Sequence, residues 1–248
     1  MFHVKHSPDR GRILRDWRAM IWEYELNWPD VRGGFVGRSL RRDREGVLGR
    51  ALEAMGGPRT LVEAQQVHGG EVAVVGEGAL RDESVYIAEV DGFVTDAPRA
   101  ALAIYVADCL AIFLSHERAP VVGLAHAGWR GLAEDMPGNL VRTALGGFGG
   151  SSSDLRLALS PCIRRCCFEV GEEVAGRFEA IPGAVDRSRE RPHVDMIAVA
   201  TAHLRAAGVP PARIEVMDGC TRCDPERFAS YRWDPDRCGR NVALIGRA

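Results

Sequence analysis

The stretch "ALAIYVADCLAIFL", Ala101 to Leu114, decides the fold class, because it is a nearly continuous apolar run broken only at Asp108 and Cys109. A run without polar alternation predicts a strand buried on both faces, and such a strand requires a layer of structure on each side. "APVVGLAHA" (Ala119 to Ala127) reads as a second buried strand. Upstream, "TLVEAQQV" and "EVAVVG" read as strands separated by the turn His68-Gly69-Gly70. Downstream, "LRLALSP", "ARIEVMDG" and "NVALIG" complete the strand set.

Helical segments alternate with these strands. "LAEDMPGNLVRTAL" forms a helix whose start Pro137 and Gly138 leave open, and "EEVAGRFEAI" forms a short one. The clearest is "VDMIAVATAHLRAAG", which places Val194, Ile197, Ala198, Thr201 and Leu204 on one face, with Gly208 as a stop and Pro210 beyond it. No repeat, low-complexity tract or linker interrupts the series. The pattern predicts a single α/β domain of mixed β-sheets covered by helices, over residues 33–248. Residues 1–32 have no clean period and read as an N-terminal extension, and the clustered Arg38, Arg41, Arg42 and Arg44 as a solvated segment.

The chain of 248 residues is 46% hydrophobic and 27% charged, within the range of ordinary soluble domains. A net charge of −2 gives no electrostatic footprint for nucleic acid or an anionic membrane, so small-molecule chemistry is expected. The opening segment lacks the apolar core of a signal peptide, and no stretch approaches the roughly 18 uncharged residues of a membrane span. The expectation is a cytoplasmic protein whose seven cysteines stay as thiols. Nothing in the sequence sets an oligomeric state.

Three residues carry the chemistry: His68 in "QQVHGG", Cys109 in "VADCLA" and His126 in "LAHAGWRG". Each stands where an apolar strand gives way to a polar residue or a glycine turn, where a rigid scaffold presents a functional group. Two imidazoles and a thiolate would give zinc three ligands and leave a fourth position for water or substrate. Two hydrogen-bonded core histidines and a buried thiol fit the spacing equally well. Asp108, a carboxylate within a buried run, needs a partner. It would either accept the N–H of a ligating His or pair with an Arg. A helix after Gly131 would make, with Arg130, an anion site beside His126, while Trp129 would offer a flat face for a base or pack in the core. The other cysteines stand as "CIRRCC", "CTRC" and lone Cys238, with a single CxxC, so the spacing predicts no second zinc site. The HxE and PCxxC pairing of zinc nucleobase deaminases is not present.

In this order, "QQVHGGEV", "DGFVTD", "YVADC", "GLAHAGWRGL", "SPCIRRCCFEVGEEV" and "CTRCDPERFASYRWD" closely resemble the laccase-domain proteins. That family, once called multicopper polyphenol oxidases and also described as peptidoglycan editing factors, contains purine nucleoside phosphorylases with adenosine deaminase activity. The resemblance spans roughly Gly57 to Gly246. It implies a layered α/β/β/α fold and a metal, usually zinc, on His68, Cys109 and His126. It also implies adenosine, inosine, guanosine and methylthioadenosine as substrates, with phosphate as co-substrate. Asp108 joins the catalytic set, and Gly128, Trp129, Arg130 and Arg38 are the candidate substrate contacts. The sequence departs from the family where Ser160 and Arg164 replace glycines, where Leu110-Ala111 replaces a Val-Pro pair, and where "GGFVGR" lacks the segment that usually follows it.

Two rival activities follow from the same residues. The first is copper-dependent polyphenol oxidation, for which seven histidines without a His-x-His pair cannot supply a multicopper cluster, although one copper in the His-Cys-His set is possible. The second is a cysteine amidohydrolase of peptidoglycan editing, with Cys109 activated by His126 or His68.

Overall fold

A computed structural model describes residues 22–38, 44–57, 59–81 and 84–248. The elements in chain order are β1 (Tyr24–Glu25), β2 (Val31–Val36), α1 (Arg44–Met55), β3 (Thr60–Ala64), β4 (Val72–Val74), β5 (Ser84–Ile87), β6 (Gly92–Thr95), β7 (Ala100–Val106), β8 (Leu110–His116) and β9 (Val122–Ala127). There follow α2 (Trp129–Ala133), α3 (Met136–Phe148), β10 (Leu155–Leu159), α4 (Glu172–Ala175), β11 (Val185–Asp186), β12 (His193–Val194), α5 (Met196–Ala206), β13 (Ile214–Val216) and β14 (Asn241–Arg247). They build two large mixed sheets, ordered β1-β2-β14-β7-β3-β5 and β13-β10-β8-β9-β6-β4, and a small ribbon β11-β12.

The stretch Ala101 to Leu114 is two strands, not one. β7 belongs to the first sheet and β8 to the second, with the chain crossing between them at Ala107-Asp108-Cys109. The turn is forced by Asp108, whose φ of 83° lies in the left-handed region. Both strands are buried on both faces, as the run predicted. Leu102, Ile104, Ala111 and Phe113 meet between the sheets with Phe93 and Leu124. Ala101 and Ala103 face outward toward Ala51 and Met55 of α1, while Leu110, Ile112 and Leu114 pack on Leu140 of α3 and Val199 of α5. The layering is therefore α/β/β/α.

Several boundaries differ from the sequence pattern. α3 starts at Met136, because the Asp135 carboxylate accepts the Gly138 N–H and Pro137 occupies the first turn, where its missing N–H costs nothing. α5 starts at Met196 behind the Asp195 cap, and Val194 belongs to β12. Its buried face is Met196, Val199, Ala200 and Leu204, so Ile197, Ala198 and Thr201 are only partly covered. Among the described residues, strand pairing begins at Tyr24, ahead of Gly33, because β2 runs from Val31 and pairs with β1 and β14. There a Cβ on Gly33 (φ 147°) would meet the Leu244 carbonyl oxygen at 2.1 Å, which only glycine avoids. Arg41 and Arg42 lie outside the described residues. No helix among those described is long and apolar enough to cross a membrane.

Phe113 is fully buried between the two sheets. Phe113→Ala is expected to cost about 3–5 kcal/mol of stability, read as a lower urea midpoint with little change in slope.

Candidate metal centre

Three chain crossings place the site. β3, β5 and β7 run parallel in the first sheet, so their ends share one rim of the sandwich. From that rim the chain passes into β4, β6 and β8 of the second sheet. Each crossing contains a non-glycine residue at positive φ: His68 at 64°, Glu89 at 54° and Asp108 at 83°. The crossings bring His68, Asp91 and Cys109 to the same rim. β9 is antiparallel to β6 and β8, and its end returns there, with His126 opposite Ala111.

The ligating atoms of His68, Cys109 and His126 all lie within 4.8 Å of one another. The two imidazoles meet edge to face, with ring centroids 4.7 Å apart. His126 is 2% exposed, Cys109 is half-buried and His68 is exposed, so the centre is anchored in the core and open on the His68 side. A Cβ on Gly128 would lie 3.1 Å from Cys109 Sγ and 3.2 Å from His68 Cδ2. Glycine is thus the residue that leaves both side chains room.

Asp91 holds the arrangement. It is fully buried. Oδ1 accepts the His68 N–H at 3.0 Å and lies 2.6 Å from His126 Nδ1, while Oδ2 accepts the N–H groups of Val67 at 3.1 Å and Gly69 at 2.8 Å. Its carbonyl also accepts the His126 N–H at 2.6 Å. With Nδ1 engaged, Nε2 is the His126 nitrogen left to ligate, and this carboxylate–histidine arrangement is the usual support of a metal-binding imidazole.

Electrostatics follow from this geometry. Burial alone would lower the His126 pKa, but hydrogen bonds to Asp91 and Cys109 outweigh it and raise it to about 9. Burial would raise the Cys109 thiol, but hydrogen bonds from His126 and His68 outweigh it and bring it down to about 7. The two shifts have one cause: each group favours the charged form of the other across their hydrogen bond. The donor set, an open side and a supported imidazole fit a bound metal ion.

Of the two partners open to Asp108, a ligating His or an Arg side chain, neither is seen in its hydrogen bonds, and the carboxylate on His126 is that of Asp91. The Asp108 carboxylate accepts Thr221 Oγ1–H at 2.6 Å and the Arg232 backbone N–H at 2.7 Å, and contacts neither histidine. The signal for Asp91 was present in "DGFVTD", an acidic residue at the head of a fully buried strand. The helix after the glycine turn begins at Trp129, not beyond Gly131, so Arg130 sits within its first turn. The exposed Arg130 guanidinium stacks 4.4 Å from the Trp129 ring centroid, and Trp129 packs on the core of the second sheet. Arg38 is tied to the C-terminal loop through its N–H to the Arg227 carbonyl at 2.8 Å and its guanidinium to the Pro225 carbonyl.

The departures from the family pattern are accommodated locally. Ala111, unlike proline, has an N–H, and buried Ser160 Oγ accepts it at 2.9 Å. The two substitutions compensate each other, since a buried N–H without an acceptor is costly. Arg164 uses its side chain to hold the Gly219 and Met217 carbonyls at 2.8 and 2.7 Å.

Asp91→Asn keeps the shape but removes the charge that supports His126, and metal affinity is expected to fall about 10- to 100-fold in competition titration against a chromophoric chelator. In the wild type, a metal must displace the His126 proton, which is held up to a pKa of about 9. Affinity should therefore rise with pH by about tenfold per unit between about 7 and 9, as one proton leaves per ion bound. A flat profile would show that His126 does not ligate.

The sequence pattern of the family described as multi-copper polyphenol oxidoreductase laccase matches residues 44–248. A purine nucleoside phosphorylase, YlmD, of Geobacillus stearothermophilus is 34% identical over 194 residues, covering 74% of this chain and 70% of its own. A purine nucleoside phosphorylase of Xylella fastidiosa is 37% identical over 202 residues, covering 79% and 75%. The adenosine deaminase RL5, from an unknown prokaryotic organism, is 31% identical over 201 residues, covering 75% of each chain. The crystal structure of the Geobacillus YlmD superposes with a TM-score of 0.79 at 27% identity, covering 88% of this chain and 92% of the other. The chain therefore belongs to the multi-copper polyphenol oxidoreductase laccase family, with the two-sheet fold of YlmD.

Proposed function

We propose that this chain is a metal-dependent purine nucleoside phosphorylase with adenosine deaminase activity, acting on adenosine, inosine, guanosine and methylthioadenosine. The observation that carries the reading is the convergence of His68, Cys109 and His126 on one rim, with Asp91 behind His126. The names of its relatives support the reaction class. Zinc suits a donor set of two imidazoles and a thiolate, with copper the competing ion. An ion held by His68, Cys109 and His126 would supply Lewis acidity to a water or substrate oxygen.

The chain's own groups do the rest. In phosphorolysis a phosphate oxygen bonds to the ribose C1′ as the bond from C1′ to the base breaks, so the nucleophile must be held in line. Arg130, exposed four residues beyond His126 and stacked on Trp129, is the candidate guanidinium for that phosphate. Asp108 accepts two hydrogen bonds and thereby secures the turn that presents Cys109.

A second reading rests on a specific arrangement: Asp91, His126 and Cys109 are ordered as orienting acid, base and thiol, with the thiol lowered to about 7. That is the geometry of a thiolate nucleophile and suits an amidohydrolase. The two readings separate experimentally. Metal-replete protein with adenosine should yield adenine only when phosphate is present and inosine without it. Cys109→Ala should lose about 10²-fold or more of both, equivalent to several kcal/mol of transition-state stabilisation. Rapid iodoacetamide labelling of Cys109 in metal-replete protein, with neither product formed, would favour the nucleophile, and oxygen uptake on phenols would favour the copper oxidase.

A further inference from the structure

A second group of side chains, remote in sequence from His68 and His126, has the geometry of a metal site. The sulfurs of Cys166, Cys167, Cys220 and Cys223 all lie within 4.8 Å of one another. Cys167 and Cys223 are 3.3 Å apart, Cys166 and Cys223 3.6 Å, and Cys166 and Cys220 3.7 Å. Four thiolates around zinc at about 2.3 Å stand roughly 3.8 Å apart. The observed spacing thus needs little adjustment. All four are free thiols, and the contacts run through the whole set instead of isolating two pairs.

The backbone is shaped to present them. In "CTRC", the N–H groups of Cys223 and Asp224 both return to the Cys220 carbonyl at 3.1 Å, making a tight turn. In "CIRRCC", the N–H groups of Cys167 and Phe168 return to the Arg164 carbonyl at 2.8 and 2.9 Å, making a second. The Arg164 N–H points at Cys220 Sγ at 3.4 Å, the kind of contact that supports a ligating thiolate. The turns are held face to face by the bridge between Cys162 and Cys220 and by the Thr221 N–H to the Cys162 carbonyl at 3.1 Å.

We propose that Cys166, Cys167, Cys220 and Cys223 bind one structural zinc ion, separate from the His68–Cys109–His126 centre. Binding exchanges four S–H protons, released to solvent, for four zinc–sulfur bonds. The centre then carries two net negative charges, and in the cavity beside Cys166 and Cys167 the guanidiniums of Arg189, Arg191, Arg222 and Arg232 outnumber the carboxylates of Glu169 and Glu190. The ion clamps two long segments, 161–171 and 217–240, that contain no helix or long strand of their own. Both segments reach Asp108: the Ile163 N–H to its carbonyl at 2.9 Å, and Thr221 Oγ1 and the Arg232 N–H to its carboxylate. The clamp therefore supports the turn that carries Cys109.

The test is metal stoichiometry by mass spectrometry on protein purified under reduction, with zinc as the probe. Wild type should hold two zinc ions, Cys109→Ala one, and the Cys166→Ser/Cys223→Ser double variant one. Cobalt(II) in Cys109→Ala should show intense thiolate-to-cobalt charge-transfer and tetrahedral ligand-field absorption. Should the double variant fail to fold, differential alkylation of the wild type decides: the four cysteines should resist labelling until a chelator strips the zinc. No zinc in Cys109→Ala, labelling of all four thiols in zinc-replete protein, or disulfides among them under reducing preparation would overturn the proposal.

Discussion

A carboxylate removed from water must be surrounded by donors, and the whole rim is organised around the one that Asp91 buries. Four N–H groups converge on its two oxygens, from Val67, His68, Gly69 and the His126 ring. Those donors belong to two different parts of the fold, the first crossing between the sheets and the end of β9, and Asp91 itself lies in the second crossing. Removing the charge would leave four donors competing for a weaker acceptor, so both histidines depend on it at once. This single ion ties chain topology to site geometry.

Topology explains why the site is where it is. Parallel strands cannot be joined by tight hairpins, so β3, β5 and β7 each leave the first sheet at the same end. Passing directly into the second sheet requires a sharp turn, and left-handed residues at His68, Glu89 and Asp108 provide it. Functional side chains held at unfavourable backbone angles persist only when surrounding structure fixes them. Here the fixing contacts are visible: Asp91 for His68, and Thr221 with the Arg232 N–H for Asp108.

Much of this was legible in the sequence. Continuous apolar runs mark the doubly covered strands, and the three candidate ligands stand at their ends, where a rigid scaffold presents functional groups. Other features were hidden for physical reasons. The break inside Ala101 to Leu114 turns on one backbone angle, which composition does not record. Asp91 reads as part of an ordinary Asp-Gly turn until the fold shows that water is excluded from it. The face of α5 is hidden because Val194 looks like its first apolar position but pairs in β12, and the helix is phased from the Asp195 cap. β2 and α1 were missed because glycines blur the alternation of "VRGGFV" and charges dominate the start of the helix. The four-sulfur cluster escaped the spacing rule because one of its pairs is adjacent, Cys166-Cys167, and a tight turn does the work that a CxxC spacing usually does.

The central claim is that Asp91 sets His126 to ligate a metal together with His68 and Cys109. Anomalous diffraction at the zinc edge from crystals of zinc-loaded protein tests it most directly. The account predicts a peak bonded to His126 Nε2, a His68 ring nitrogen and Cys109 Sγ at about 2.0–2.3 Å, with Asp91 still on His126 Nδ1. A zinc-replete crystal with no peak among these three residues, or with His126 turned away from Asp91, would contradict it.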